Sequence, residues 1–220
     1  MVQCWLKRLG GALSTETARV EAFSDGVFAI AITLLILEIK IPAAGSVDLS
    51  LQLLRQWPSY VSFVISFAFI GIMWINHHRL FTHIRKSDDA LLILNLLLLL
   101  GVTSVPFPTA VLAAHLRQAG ERAAVLLYNG TYLFIAICFN LLWRYAVSKR
   151  RRLLASDVDQ EAVNRITRQY AFGPLLYLFC FGLAYVSAGA SLLLNCALAF
   201  FFALPPHLTQ SKRLSRPSIG

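Results

Sequence analysis

Charged side chains are scarce in this chain of 220 residues: Asp, Glu, Lys and Arg together make up 14%, whereas soluble domains carry about 25%. Hydrophobic residues make up 57%. The chain therefore lacks the polar surface that a water-soluble globule of this size needs. The same balance excludes intrinsic disorder, which requires low hydrophobicity and high charge. The composition predicts an integral membrane protein that forms one domain over residues 1–220.

Cysteine pairs and metal-binding patterns are also missing. The four cysteines form no Cys-x-x-Cys pair, and three of them lie in strongly apolar runs, so packing is their expected use. His77, His78 and His83 lack the i, i+4 spacing of a helical zinc motif. No nucleotide or organic cofactor motif stands out, and neither does a nucleophile with a matching base. We therefore expect no metal, no cofactor and no enzymatic activity.

Long apolar runs are abundant, and a helix needs about 20 such residues to cross a bilayer. These runs predict an all-α fold with six transmembrane helices, at residues 22–41, 58–75, 90–113, 124–145, 170–187 and 190–204. Pro106 and Pro108 predict a kink in the third helix. Ser156, Asp159 and Glu161 form an acid-rich helix start, which predicts a short helix before the fifth span.

The net charge of +9 indicates the orientation of these helices. With the N-terminus in the cytoplasm, 16 of the 20 Lys and Arg residues fall in cytoplasmic segments and 4 fall in external ones. This asymmetry is the positive-inside pattern, so both termini are predicted to be cytoplasmic. The basic run at residues 149–152 fits this anchoring role better than nucleic-acid binding. We expect the lipid bilayer, and no nucleic acid, as a partner.

The first span carries polar groups, which are costly inside a membrane and therefore indicate function. At about 100° per residue, Ile30, Leu34 and Leu37 share one apolar stripe. Phe23 extends this stripe toward the inner end, and Thr33 lies at its edge. We name this face, defined by Phe23, Ile30, Thr33, Leu34 and Leu37, the apolar stripe.

Two polar residues of the same span point elsewhere. Ser24 and Asp25 lie roughly 120–140° away from Ile30 around the helix, so they face a different neighbour. A carboxylate near the membrane needs hydrogen-bond donors. An Arg, a Trp indole and a His can supply them, and Trp74, Asn76 and His77 lie at the same depth, at the inner end of the second span.

The first span resembles the signature of the transmembrane-protein-175 family of potassium channels, which reads Arg-x-x-x-Phe-Ser-Asp. Here that pattern consists of Arg19, Phe23, Ser24 and Asp25. The resemblance continues through Trp57, residues 66–67, Trp74, residues 77–78, Asn95 and residues 106–109. It implies a potassium-permeable cation channel with passive flux, in the plasma membrane of a prokaryote. It further implies a homotetramer of six-helix subunits whose first helices line a central pore, with potassium and other monovalent cations as permeant ions.

The resemblance also implies residue roles. By distance from the Phe-Ser-Asp motif, it places the inner constriction at Ile30 and further pore-lining positions at Thr33, Leu34 and Leu37. The sequence has no Thr-Val-Gly-Tyr-Gly filter, so a ring of Thr33 hydroxyls is the expected selectivity layer. The alternative use of such a threonine is a hydrogen bond to its own helix. Glu38, about 80° from Ile30, would attract cations at the outer mouth.

For the remaining motif residues the resemblance implies a hydrogen-bonded network that anchors the pore helix and supports assembly. The members of this network would be Arg19, Phe23, Ser24, Asp25, Trp74 and His77. The alternative function is a secondary transporter or proton-coupled cation exchanger, which needs ionisable groups near the membrane midplane. Asp25 and Glu38 lie toward the two ends of the first span, so the sequence favours the channel.

Overall fold

The computed structural model describes residues 17–42, 48–148, 153–154 and 159–203. These residues form eight α-helices and one short 3-10 segment, which confirms the all-α prediction for the described chain. In chain order they are α1 (Ala18–Leu34) with the 3-10 segment Leu35–Glu38, α2 (Leu49–Arg55), α3 (Trp57–Phe81), α4 (Asp89–Ser104), α5 (Pro106–His115), α6 (Glu121–Ala146), α7 (Gln160–Leu183) and α8 (Ala188–Ala203).

Four helical segments are long and apolar enough to cross a membrane. They are Ala18–Glu38, Trp57–Phe81, Asp89–His115 and Glu121–Ala146. These segments match the first four predicted spans, with bounds shifted by several residues. The helix α8 is apolar but shorter, with 16 residues, and the crossings by α7 and α8 stay predictions. Both chain termini and the predicted end of the sixth span lie outside the described residues.

The third predicted span contains a break. Its first part, α4, ends at Ser104, and α5 begins at Pro106, so the two helices meet at Val105. Proline has no N–H and cannot make the hydrogen bond that would continue α4. Val105 keeps a helical conformation, so Asp89–His115 is one helical segment whose hydrogen-bond ladder is interrupted at the prolines. The kink itself stays a prediction.

The fifth predicted span begins much earlier than expected. The helix α7 starts at Gln160, where the Asp159 side chain accepts a hydrogen bond from the Glu161 N–H at 2.9 Å. The predicted short helix is therefore the first part of α7. The expected start at Ser156 lies outside the described residues. The hydropathy pattern did not show that this polar stretch continues into the fifth span as one helix. An i, i+4 ion pair between Arg165 and Glu161, at 3.0 Å, stabilises this first part of the helix.

The helices pack around α6, which contacts α4, α5, α7 and α8. Trp143 and Tyr128 of α6 are among the largest fully buried side chains. Where α4 crosses α6, a Cβ added at Gly101 would lie 2.7 Å from Cγ1 of Ile135, so the close approach requires glycine. The helix α1 packs on α3 and α4 at the side of this bundle.

Buried polar side chains connect the helices. Ser66 of α3 contacts Thr109 of α5 at 2.8 Å and the Tyr128 hydroxyl of α6 at 3.0 Å. In α6, Asn129 donates to Ser191 and accepts from Asn195, both of α8, at 2.6 Å. Such contacts fix helix pairs in an apolar environment, where burial of hydrocarbon does not favour one helix partner over another.

Several segments meet at one end of the bundle, which we name the Ile84 end. Ile84 forms an isolated antiparallel bridge with Leu154, and the N–H groups of Arg85 and Lys86 donate to the Leu153 carbonyl at 2.9 and 3.2 Å. The Thr17 hydroxyl, just before α1, donates to the Ile84 carbonyl at 3.3 Å. The Ile84 end therefore gathers the start of α1, the end of α3 and the segment before α7.

Candidate functional site

The helix α1 has two contrasting faces. Ala31 and Leu35 are completely buried. The helix α1 packs on α3 and α4, and the 3-10 segment with Leu35 packs on α3 and α5. On the other side, Ile30 is 60% exposed and Leu37 is 69% exposed. Phe23, Thr33 and Leu34 are also exposed, so the subunit leaves its whole apolar stripe uncovered.

The hydroxyl of Thr33 is bonded within its own helix. Its Oγ1 donates to the Ile30 carbonyl at 2.9 Å, which is the local use that the sequence left open. This bond occupies the hydroxyl hydrogen, and the lone pairs of the oxygen stay free to accept from or coordinate another group. Thr33 can therefore combine the local bond with an acceptor role on the exposed face.

The end of α1 is wound more tightly than the sequence analysis assumed. Leu35–Glu38 is a 3-10 segment, which turns about 120° per residue instead of 100°. Viewed along the helix axis, Leu37 still points in nearly the same direction as Ile30, whereas Glu38 points about 160° away from Ile30. The Glu38 carboxylate is half-buried at the end of α1, so it borders the mouth of any pathway along the stripe without lying on the stripe.

The carboxylate of Asp25 contacts the second span. The Trp74 indole N–H donates to Oδ1 of Asp25 at 2.8 Å, and the Trp74 ring stacks on His78 at 6.3 Å between centroids. Both Asp25 and Trp74 are exposed on the subunit surface. The contact joins α1 to α3 at the edge of the surface that α1 leaves open.

A second, buried contact lies beside the first. Asn95 of α4 donates from Nδ2 to the Ser24 hydroxyl at 3.0 Å, and its Oδ1 lies 2.9 Å from Nε2 of His77. Ser24 in turn donates to the Val20 carbonyl at 2.8 Å. The His77 ring packs against Phe81 at 4.4 Å between centroids. Asn95 thus connects α1, α3 and α4.

Sequence reasoning missed the central place of Asn95. It is a single amide within a run of leucines, and a polar group at such a position points to a specific contact. The other predicted members lie apart from this bridge. Arg19 is exposed, and no hydrogen bond joins it to Asp25 within the described chain. Phe23 belongs to the exposed stripe.

The histidines have local partners. His83 Nδ1 lies 2.8 Å from the Arg79 carbonyl and 3.1 Å from the Thr82 hydroxyl. No group of three His, Cys, Asp or Glu side chains suited to hold a metal ion occurs in the part of the chain that the structure describes. Around α1, Asp25, Ser24 and Asn95 make hydrogen bonds between helices.

Four membrane-length helices and a tightly interlocked bundle define a multi-pass helical membrane protein, with one helix that leaves its apolar stripe uncovered. The family model described as endosomal/lysosomal potassium channel TMEM175 matches residues 19–106. A potassium channel of Chamaesiphon minutus is 51% identical over 193 residues, which cover 86% of this chain and 95% of that protein. The chain belongs to the TMEM175 family, whose members are ion channels and not enzymes.

Two further comparisons cover nearly the whole length of the proteins compared. A potassium channel of Streptomyces collinus is 42% identical over 205 residues, which cover 92% of this chain and 99% of that protein. The crystal structure of a lysosomal potassium-selective channel TMEM175 homolog from Chamaesiphon minutus superposes with a TM-score of 0.78 at 48% identity. That match covers 88% of this chain and 99% of the other. The likeness therefore extends well beyond the first three spans.

Proposed function

We propose that this protein is a potassium-permeable cation channel with passive flux through a central pore of a homotetramer. The observation that carries the proposal is that the exposed apolar stripe of α1 lies on the same helix as the Phe-Ser-Asp motif. Ile93 and Leu100 of α4 are also exposed, so the motif, and not exposure alone, selects α1. Two relatives at 51% and 42% identity are named potassium channels. Four copies of the stripe around one axis would line a pore and cover the exposed side chains.

In this tetramer Ile30 forms the narrowest ring. Four isoleucine side chains present only hydrocarbon, and an apolar constriction closes to ions by expelling water. A small widening of the ring rehydrates it and admits an ion. Leu34 and Leu37 continue the apolar lining outward, and their exposure in the isolated subunit supports this role.

The polar layer in the proposed pore is Thr33. Its hydroxyl hydrogen is held by the Ile30 carbonyl, which leaves four oxygen atoms in the tetramer able to face a cation. At the outer end, four Glu38 carboxylates raise the local cation concentration through their field. This action does not require Glu38 to lie on the stripe, because the field reaches about a Debye length into the solution.

The contacts at the base of α1 hold the pore helix in place. We assign this anchoring role to Ser24 and Asp25 through their bonds to Asn95 and Trp74, with His77 behind Asn95. Arg19 and Phe23 lie on the exposed side of α1, where they are available to neighbouring subunits. Together these six motif and partner residues, with Asn95, support assembly.

The proposed topology has six transmembrane helices in a single domain, with both termini in the cytoplasm. Under this topology the Ile84 end is cytoplasmic, in agreement with the positive-inside pattern of the sequence. The bacterial origin of the most similar relatives supports a prokaryotic plasma membrane as the location.

A flux experiment tests the function. The purified protein is reconstituted in liposomes with a potassium gradient, and a protonophore removes the membrane potential that builds up. A channel gives downhill potassium flux for which protons moving through the protonophore, and not an ion carried by the protein, compensate the charge. Ile30→Asn raises this flux because a polar ring stays hydrated. The matched control is Ile93→Asn, since Ile93 of α4 is exposed to a similar extent, 58% against 60%.

Three results would contradict the proposal or the role of Ile30 in it. Flux that stops without a coupled ion gradient identifies an exchanger instead of a channel. Equal flux in the Ile30→Asn and wild-type proteins removes Ile30 from the constriction. Leakage that rises to the same extent in the Ile93→Asn control would show that the Ile30 effect is a general loosening of the bundle.

A further inference from the structure

Two cavities meet near the Ile84 end, away from the apolar stripe. The outer cavity, of about 290 Å³, lies between the end of α3 and the first turns of α7. The inner crevice, of about 60 Å³, lies deeper among α3, α6, α7 and α8. Asn76 and Tyr170 line both of them, so the two spaces share one wall.

The outer cavity is cationic. Arg79, Arg165, His83 and Gln169 line it, and among the residues that the structure describes no carboxylate does. Among the described residues no carboxylate lies within ion-pair distance of Arg79, whose guanidinium donates to the Ala203 carbonyl at the end of α8, at 3.2 Å. A positive charge without an anionic partner at the edge of a membrane attracts an anion.

Arg165 does have carboxylate partners, but they are weak competitors. Its guanidinium lies 3.0 Å from Glu161 and 3.6 Å from Asp159, whose side chains are 78% and 64% exposed. Ion pairs with such exposed groups contribute little, because water competes for both partners. Arg165 is therefore available to a phosphate that enters the cavity.

The inner crevice is mainly apolar. Aromatic and aliphatic side chains line it, among them Phe69, Ile72, Ile135, Phe139 and Phe202. A volume of about 60 Å³ exceeds several-fold the space of about 10–15 Å³ that one water needs. The crevice therefore has room for a short stretch of hydrocarbon, and its walls offer that hydrocarbon close contacts.

Polar groups without a described hydrogen bond lie in the wall that the two cavities share. No hydrogen bond within the described chain uses the amide nitrogen of Asn76, although its Oδ1 accepts from Arg79 at 3.4 Å. The Tyr170 hydroxyl is likewise without a described hydrogen bond, while its backbone carbonyl accepts from Asn140 at 2.8 Å. These groups can bond ester or glycerol oxygens between a phosphate and its acyl chains.

From this juxtaposition we infer that the two adjacent cavities together bind an anionic phospholipid of the inner leaflet. The phosphate lies between Arg79 and Arg165, the glycerol ester groups lie beside Asn76 and Tyr170, and the start of one acyl chain enters the crevice. Basic pockets between helices on the cytoplasmic side commonly recognise anionic headgroups. A zwitterionic lipid would bring its ammonium group toward two guanidinium groups, which disfavours it.

This inference goes beyond the proposed channel activity, and its test measures binding instead of flux. The full-length protein in detergent is incubated with phosphatidylglycerol or with phosphatidylcholine, and retained lipid is counted by native mass spectrometry. We expect preferential retention of phosphatidylglycerol. Gln169→Glu places a carboxylate in the cavity and lowers retention about fivefold, the effect of one charge near an anionic headgroup. Gln160→Glu, the same change at an exposed position of α7, leaves retention unchanged.

A second pair of variants distinguishes a specific loss of lipid binding from a general loss of structure. Arg165→Gln removes a cavity arginine, whereas Arg168→Gln removes an exposed arginine of the same helix that does not line the cavity. We expect reduced phosphatidylglycerol retention only in Arg165→Gln. Equal retention of the two lipids by the wild-type protein, or equal losses within either variant pair, overturns the inference. Displacement by soluble glycerol phosphate at the concentration of the lipid would identify a soluble-anion site and reject the lipid.

Discussion

Replacement of Asn95 by leucine tests how strongly the base of α1 is held. Leucine has nearly the shape of asparagine, so the change removes hydrogen bonds without opening a large cavity. The bonds removed are the one to Ser24 at 3.0 Å and the one to His77 at 2.9 Å. All three side chains are buried, with 2% or less of their surface exposed.

The two losses differ in size. Ser24 keeps its bond to the Val20 carbonyl at 2.8 Å, so the loss there is near the average of about 0.6 kcal/mol for polar contacts between membrane helices. His77 loses its side-chain partner in a buried position, and an unsatisfied buried polar group costs about 1–3 kcal/mol. We expect Asn95→Leu to lower the free energy of unfolding by about 2–3 kcal/mol.

The assay is unfolding in mixed micelles with rising dodecyl sulfate, followed by tryptophan fluorescence at one fixed protein concentration. The fixed concentration is needed because assembly itself changes the apparent stability. A double-mutant cycle with Ser24→Ala isolates the part that belongs to the Asn95–Ser24 bond. A loss below about 0.5 kcal/mol, typical of a surface substitution, would refute the view that Asn95 links α1 to its neighbours.

Three further predictions concern other parts of the molecule. Trp74→Phe removes the donor to Asp25 and should weaken the free energy of tetramer association by about 1 kcal/mol, because the pair is exposed. Gel filtration would show this as a smaller tetramer fraction, and an unchanged fraction rejects the anchoring role. Glu38→Gln should reduce potassium flux at low ionic strength, and the two proteins should converge near 1 M salt, where the Debye length is about 3 Å. Gly101→Ala should destabilise the α4–α6 contact by about 1–3 kcal/mol in the unfolding assay, whereas Gly71→Ala, with open space around its Cβ, should not.

The sequence predicted well what depends on long apolar runs and helical spacing. The first four spans follow from their hydropathy, and the open apolar stripe follows from the i, i+4, i+7 spacing of Ile30, Leu34 and Leu37. The helix start near Asp159 and Glu161 was also predicted from its acidic residues, but its continuity with the fifth span was not, because the polar residues between them carry no span signal.

Contacts between residues that lie far apart in the chain were harder to predict from the sequence. Asp25 and Trp74 are 49 residues apart, and the sequence indicated only that they share a depth. The bridge through Asn95 needs the register of α4 against α1 and α3, which no local pattern contains. The 3-10 winding of residues 35–38 changes the direction in which the Glu38 side chain points around the helix axis. No residue pattern in this segment predicts that winding.

The backbone contacts at the Ile84 end have an evolutionary consequence. The N–H groups of Arg85 and Lys86 bind the Leu153 carbonyl, and both side chains are exposed. Any amino acid other than proline offers the same N–H, so these two positions can drift among relatives while the contact persists. Correlated substitution at residues 85 and 86 would therefore leave no trace of this part of the junction, whereas Thr17, whose hydroxyl makes its bond, and the buried Ile84 and Leu153 stay constrained by their side chains.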